Sequence, residues 1–252
     1  MTRKIPESTI GRLSLYLRVL GELEQEGVLT ASSEALARRG GTTAAQVRKD
    51  LSFFGTFGKR GLGYTVAELR DTLRTILGLQ RRWRVAVVGA GRIGGALIGY
   101  PDLRRQGFDI RAVFDQDPLK VGRSWNGLIV HEVSALEGIL QSEPIDIAIL
   151  AVPATAAQEM ASRVVRAGVR AILNFAPVKL ALPPDVAVKN VDMAVELEGL
   201  SYALSRGLNG TVAANGMAAA NGPIGEDRTL GANGTATVNG AAGSDGMGGG
   251  RS

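Results

Sequence analysis

The sequence predicts an α/β protein in two parts, a small basic helical module followed by a doubly wound parallel sheet. Three observations predict it. Positive charge is confined to one end, with 15 Lys and Arg against 8 Asp and Glu in residues 1–84, and 14 against 16 in residues 85–252. From Arg84 onward, short apolar runs alternate with helix-length stretches, as they do when right-handed crossovers join parallel strands. At 84–94 the chain reads RVAVVGAGRIG, an apolar run that ends in three glycines.

Composition narrows the classes. The chain has 252 residues, more than one typical domain of roughly 100–200. Its apolar fraction is 45% and its mean hydropathy +0.08, values that fit a soluble globular protein. No uncharged apolar run reaches the roughly 18 residues of a membrane span, and MTRKIPESTIGR has no apolar segment of signal-peptide length. The absence of cysteine excludes disulfides, thiolate nucleophiles and zinc-thiolate sites, and places the chain in the cytoplasm. A basic first module favours a polyanionic partner such as nucleic acid.

Residues 1–80 form that module. Ile10, Leu13, Leu17, Leu20 and Leu23 recur at spacings of three and four, one face of a helix ending at Gly27. Ser32-Ser33 starts a second, short helix that runs into the turn Gly40-Gly41. Thr43-Ala44-Ala45-Gln46 reads as a capping box, in which the Gln46 side chain returns to the Thr43 amide, and opens a third helix with Val47, Leu51 and Phe54 inward. GTFGKRGLGY at 55–64 predicts a tight basic hairpin, and a second box from Thr65 to Glu68 opens a helix ending near Gly78. Three short helices and a glycine-rich basic hairpin match a winged helix-turn-helix. Its third helix would enter a major groove, with Gln46, Arg48 and Lys49 near base edges or phosphates and Lys59 and Arg60 along the neighbouring backbone. The competing reading is an ordinary solvated face on which Arg48 and Lys49 are partly paired with Asp50.

Residues 84–190 carry the sheet. Strands are expected at 84–88, 110–114, 128–130, 146–151, 171–175 and 186–190, and helices near 92–99, 133–141 and 155–167. Gly89, Gly91 and Gly94 follow a buried strand and open a helix, the context that turns a weak GxGxxG into a Rossmann-type dinucleotide fingerprint. Gly89 permits the turn, Gly91 lets amides approach a pyrophosphate, and Gly94 lets helix and strand pack closely. Asp115 ends the next strand 21 residues beyond Gly94, where a carboxylate bonds ribose hydroxyls and repels a 2′-phosphate. This favours NAD over NADP. Against it stands an empty domain in which the glycines only turn a corner and Asp115 caps a helix before Pro118.

Little here could move a substrate proton. His131 is the only histidine, no tyrosine has a lysine four residues on, and there is neither a serine nucleophile elbow nor a metal-binding histidine cluster. Binding without turnover is therefore expected. A dehydrogenase with an accessory basic domain and a CoA-binding or other nucleotide-binding module remain as alternatives. Residues 191–206 read as a last, unusually apolar helix. The stretch 207–252 has 13 glycines and no aromatic residue, the composition of a disordered Gly/Ala/Asn-rich tail.

The stretches IPESTIGRLSLYLRVL, TTAAQVRKDLSFFGTFGKRGLGYTV, VAVVGAGRIGGAL, AVFDQDPLKVG, ILNFAPV and NVDMAVELEGLSYAL together resemble the Rex family of redox-sensing transcriptional repressors, over roughly residues 3–206. The resemblance implies a homodimer whose terminal helix, 191–206, swaps across to its partner. It also implies binding to palindromic operator DNA, released when NADH replaces NAD⁺, in control of respiratory and fermentative genes, with no metal and no membrane. The matching DNA positions are Arg12, Ser33, Gln46, Arg48, Lys49, Lys59 and Arg60. Those for NADH and NAD⁺ are Gly89, Ala90, Gly91, Arg92, Ile93, Gly94, Asp115, Lys120 and Val121. Val152-Pro153-Ala154 and Asn174-Phe175-Ala176-Pro177 fall where a nicotinamide ring would sit. Tyr100 and Asp192 resemble the family's state-dependent switch contact.

Overall fold

The computed structural model describes residues 5–55, 57–58 and 62–206. Lys59, Arg60, part of the expected hairpin and the tail 207–252 lie outside the described residues.

Helix α1 (Glu7–Gln25) buries Leu13, Tyr16, Leu20 and Leu23 along one stripe. Strand β1 (Thr30–Ala31) leads to α2 (Ser33–Arg39), which is capped by Ser32 Oγ accepting from the Ala35 amide at 3.1 Å. Thr43 Oγ1 accepts from the Gln46 amide at 3.1 Å and opens α3 (Ala44–Ser52). The return half of that box does not form, because the Gln46 side chain turns the other way, to Asp50. Strand β2 (Tyr64–Thr65) pairs antiparallel with β1 and passes directly into α4 (Val66–Ile76). Thr65 makes no side-chain cap there, so the second predicted box is absent; the Val66 amide instead donates to Leu29 O at 2.9 Å.

The second part begins with β3 (Trp83–Val88), α5 (Arg92–Ile98), a short α6 (Pro101–Arg105) and β4 (Phe108–Asp115). Next come β5 (Ser124–Trp125), β6 (Leu128–Glu132), a 3₁₀ turn at Val133–Ala135, α7 (Leu136–Ser142), β7 (Ile147–Leu150) and α8 (Ala154–Arg166). The described chain closes with β8 (Ala171–Asn174), β9 (Ala187–Asn190) and α9 (Met193–Ser205). The seven strands stand in the order β5-β6-β4-β3-β7-β8-β9, parallel except for β5, which runs antiparallel to β6 at the edge. The sequence reading had no place for β5 or α6. Asn126 (φ 51°) and Gly127 (φ 82°) make the two-residue turn between β5 and β6, with both residues left-handed as a primed hairpin turn requires.

Alternation along β3 divides the core. Ala86 and Val88 face a cluster with α7 and α8, while Val85 and Val87 face a second cluster that includes Ile98 of α5. Both sheet faces are therefore covered, as a parallel sheet demands. A tight connector joins the first part to β3. Arg74 donates to Leu79 O at 2.7 Å, the Trp83 indole N–H donates to Gly78 O at 2.9 Å, and the Arg81 guanidinium lies 3.7 Å from the centre of the Trp83 ring.

Helix α9 has no buried residue. Met193, Val195, Leu197, Leu200, Tyr202 and Leu204 are each more than half exposed. No helix among the described residues is long and apolar enough to cross a membrane.

Candidate dinucleotide cleft and DNA-facing helix

A cleft of about 750 Å³ opens at the carboxyl ends of β3, β4 and β7. After β3 the chain moves outward to β4 and β6, and then crosses back to β7 on the other side of β3, so the cleft lies at the topological switch point of the sheet. Gly89, Gly91, Arg92 and Ile93 line one wall, Asp115 and Lys120 another, and Val152 and Pro153 a third.

The three glycines do different work. Gly89 sits at φ +100°, and a Cβ there would lie 2.4 Å from Ala151 O. A Cβ on Gly94 would lie 1.8 Å from Gly89 O, so α5 can approach β3 only with glycine at this position. A Cβ on Gly91 would meet no protein atom within 4 Å, so packing within the chain does not require glycine there, and the position opens onto the cleft. Gly91 caps α5 without a side-chain hydrogen bond, leaving the first-turn amides available to an anion.

Asp115 is 7% exposed. One carboxylate oxygen accepts from the Ala90 amide at 2.7 Å and from Lys120 Nζ at 3.1 Å, and the other accepts from the Asp117 amide at 2.8 Å. Burial works to raise its pKa, but these three donors together hold it below the ordinary carboxylate value. A carboxylate has about four acceptor sites, so one remains for a ribose hydroxyl. The cap reading of Asp115 and the ribose reading are thus compatible.

The remaining cofactor candidates divide. Ala90 is buried beneath the turn, Val121 sits in the turn that carries Lys120 with its amide donating to Asp117 O, and Ala154 begins α8. Asn174 is fully buried and turned inward: its Nδ2 donates to Ala176 O, Val178 O and Asn190 Oδ1, and its Oδ1 accepts from the Ala176 amide. Phe175 is half-buried against the Val87 cluster, Ala176 is buried and Pro177 is exposed. None of these four lines the cleft. Residues the sequence reading omitted do line it, among them Gln116, Asp117, Met160 and Arg163, the last held by Glu137 at 2.6 Å. The α8 residues could have been found from the face of that helix turned toward the strand ends.

Tyr100 precedes α6 and is 51% exposed, while Asp192 Oδ1 accepts from the Ala194 amide at the start of α9. The two make no hydrogen bond to each other within the chain.

In the first part, a fully buried carboxylate holds two of the candidate DNA residues, Arg12 and Gln46. Asp50 accepts from Arg12 Nε at 2.6 Å and Nη2 at 2.8 Å, from Tyr16 Oη at 3.0 Å, from Thr9 Oγ1 at 3.2 Å and from Gln46 Nε2 at 2.9 Å. Burial opposes its charge, yet Arg12, Gln46 and Tyr16 hold the Asp50 pKa below the ordinary value, and burial with the nearby carboxylate pushes the Tyr16 phenol up. Asp50 thus pairs with Arg12 across two helices, and Arg48 and Lys49 are not its partners. Arg48 donates to Ser33 Oγ at 2.7 Å and lies 3.3 Å from Glu34, while Lys49 is exposed and has no side-chain partner among the described residues. Helices α2 and α3 with the turn between them have the helix-turn-helix arrangement, with Gln46 in the first turn of the second helix.

The sequence matches two family descriptions, "Putative DNA-binding protein N-terminus" over residues 4–52 and "CoA binding domain" over residues 80–178. Among curated relatives it is 48% identical over 203 residues to the redox-sensing transcriptional repressor Rex of Carboxydothermus hydrogenoformans, covering 81% of this chain and 98% of that one. It is 50% identical over 201 residues to the protein of the same name from Thermus thermophilus, covering 80% and 94%. Among solved structures it is similar to RSP in complex with β-NAD⁺ and operator DNA (TM-score 0.77, 38% identity, 81% of this chain and 94% of that one). The complex of RSP with β-NADH gives a TM-score of 0.74 at 37% identity, covering 81% and 96%. With nearly the whole length of these relatives matched at such identity, and with the glycine turn, the buried carboxylate at the cleft and the paired helices in place, this chain belongs to the Rex family of redox-sensing transcriptional repressors.

Proposed function

We propose that the protein is a repressor that reads the ratio of NADH to NAD⁺, binding operator DNA as a homodimer through α3 and leaving it when NADH occupies the cleft. The observation that carries this reading is the presence, in one chain, of a switch-point cleft with a buried carboxylate and a helix-turn-helix whose second helix carries Gln46, Arg48 and Lys49. The solved relatives bound to NAD⁺ with operator DNA and to NADH support it. A ligand can shift the dimer only by binding one shape better than the other. Val152 and Pro153 offer the neutral dihydronicotinamide an apolar wall that disfavours the cationic ring. The apolar length of α9 fits a helix that a second copy covers, with residues 1–80, 84–190 and 191–206 acting as DNA, nucleotide and dimer segments. Turnover forms no part of this reading: the cleft's lysine is engaged by Asp115 and its Arg163 by Glu137, and among the described residues no histidine or tyrosine lines it. The place of action that follows is the cytoplasm.

Gel shift with a duplex selected from a randomised pool tests the proposal. At fixed total nucleotide, the bound fraction falls as NADH replaces NAD⁺; a bound fraction indifferent to the ratio rejects it. Competition with coenzyme A separates the reading from a CoA-binding module. Within the same reading, Asp115→Ala removes the charge that repels a 2′-phosphate and frees Lys120 to meet one. Calorimetry is expected to show the NADH-over-NADPH preference shrinking at least tenfold, and an unchanged preference places the ribose elsewhere.

A further inference from the structure

We infer that Gln46 reads an adenine in the major groove of each operator half-site, with Asp50 as the residue that sets its amide for that base. The inference rests on the DNA-binding reading above and adds which base is recognised.

The argument begins with the acceptors of Asp50. Every group around this buried carboxylate is a donor: the Arg12 guanidinium from two nitrogens, the Tyr16 and Thr9 hydroxyls and the side chain of Gln46. An ionised carboxylate can only accept. Of the two ends of the Gln46 amide, only the NH₂ can therefore face Asp50, at 2.9 Å from Oδ1, and the reverse flip would set two acceptors against each other. Chemistry fixes the assignment of oxygen and nitrogen.

The consequence is a defined outward pattern. One hydrogen of Nε2 goes to Asp50, and Oε1 and the second hydrogen have no partner among the described residues. Gln46 is half-buried at the third position of α3, one turn before Asp50 on the same helix, so its stem is held while its tip meets solvent. The tip presents an acceptor beside a donor. Adenine presents the complement at its major-groove edge, the N6 amino donor beside the N7 acceptor. Guanine offers two acceptors, one of which would oppose Oε1. Cytosine offers a single donor and thymine a single acceptor with a methyl group, so each satisfies half of the pattern. Holding the side chain in advance also lowers the rotamer entropy lost on binding.

The test uses the full chain with NAD⁺ present. Wild type and Gln46→Met each select duplexes from a randomised pool, and affinities are then measured for all four base pairs at every enriched position. The expected result is one position per half-site at which wild type prefers adenine by roughly ten- to a hundredfold, and at which Gln46→Met is indifferent while its other preferences stand. Replacing that adenine with 7-deaza-adenine, which lacks the N7 acceptor, weakens wild type about tenfold and leaves Gln46→Met unchanged. That arm alters only the DNA, so it holds whatever the variant does to folding. Weakening by one factor across all sequences marks a backbone contact and overturns the inference, as does an adenine preference that survives in Gln46→Met. If wild type enriches no duplex, the DNA-binding reading falls first and takes this one with it.

Discussion

Asp50→Ala is expected to destabilise the first part of the protein by about 3–5 kcal/mol, the range for removing one partner of a buried ion pair. The loss exceeds that of a surface bridge because the Arg12 guanidinium, two of whose nitrogens bond Asp50, is left part-buried without its counter-charge, and the Tyr16 and Thr9 hydroxyls lose an acceptor in the interior. Among the described residues this carboxylate takes the side-chain hydrogen bonds between α1 and α3, beside the apolar packing of Leu13 and Leu20 with Val47 and Leu51 in one core. Operator affinity should collapse while NADH affinity stays within about twofold, since every residue lining the cleft follows Trp83 in the chain. Denaturant unfolding followed by helical signal, with NADH fluorescence titration on the same sample, checks both halves. A destabilisation below about 1 kcal/mol would mean that the network adds little beyond what packing supplies.

Gly94→Ala should remove the ligand response. The added methyl would stand 1.8 Å from Gly89 O, a distance no side chain tolerates, and the obstacle is backbone on both sides. Relief requires α5 to move off β3, carrying with it the uncapped amides at its start. NADH affinity is expected to fall at least a hundredfold. DNA binding through the proposed α2–α3 unit should persist, so the variant is expected to stay on its operator at NADH levels that release wild type. Gly91→Ala makes an instructive partner: no protein atom is within 4 Å of its Cβ, so its thermal midpoint should match wild type even though ligand binding is impaired. Equal NADH affinity in Gly94→Ala and wild type would show that α5 can shift without disturbing the cleft.

These two sites differ in how far the sequence discloses them. That Gly89, Gly91 and Asp115 meet at one cleft was legible because strand, turn, helix and next strand end follow one another in local spacing. Asp50 was half legible. It lies three residues after Val47 and four before Phe54, so the same periodicity that turns those residues inward also turns a carboxylate inward. What the sequence does not disclose is its partner, since Arg12 comes from another helix 38 positions earlier and looks like one of many exposed arginines. The pair Asn126-Gly127 is a strong hairpin signal, obscured because the strands it joins are only two and five residues long. Asn174 shows the opposite failure. Its position after a late strand implied a ligand contact, but its amide is consumed by the backbone of the loop that follows. Strand order and the faces of α8 depend on long-range packing, which spacing alone does not encode.

The connector at 78–84 gives β3 a property that neither part has alone. The indole of Trp83 holds the end of α4 through Gly78, Arg74 holds Leu79, and the amide of Trp83 is already paired with Gly107 O at 2.8 Å in the sheet. No length of slack chain intervenes. The strand that starts at this staple spans about 20 Å and ends at Gly89, the turn beneath the cleft. It therefore ties the end of α4 to the turn beneath the cleft through one hydrogen-bonded strand.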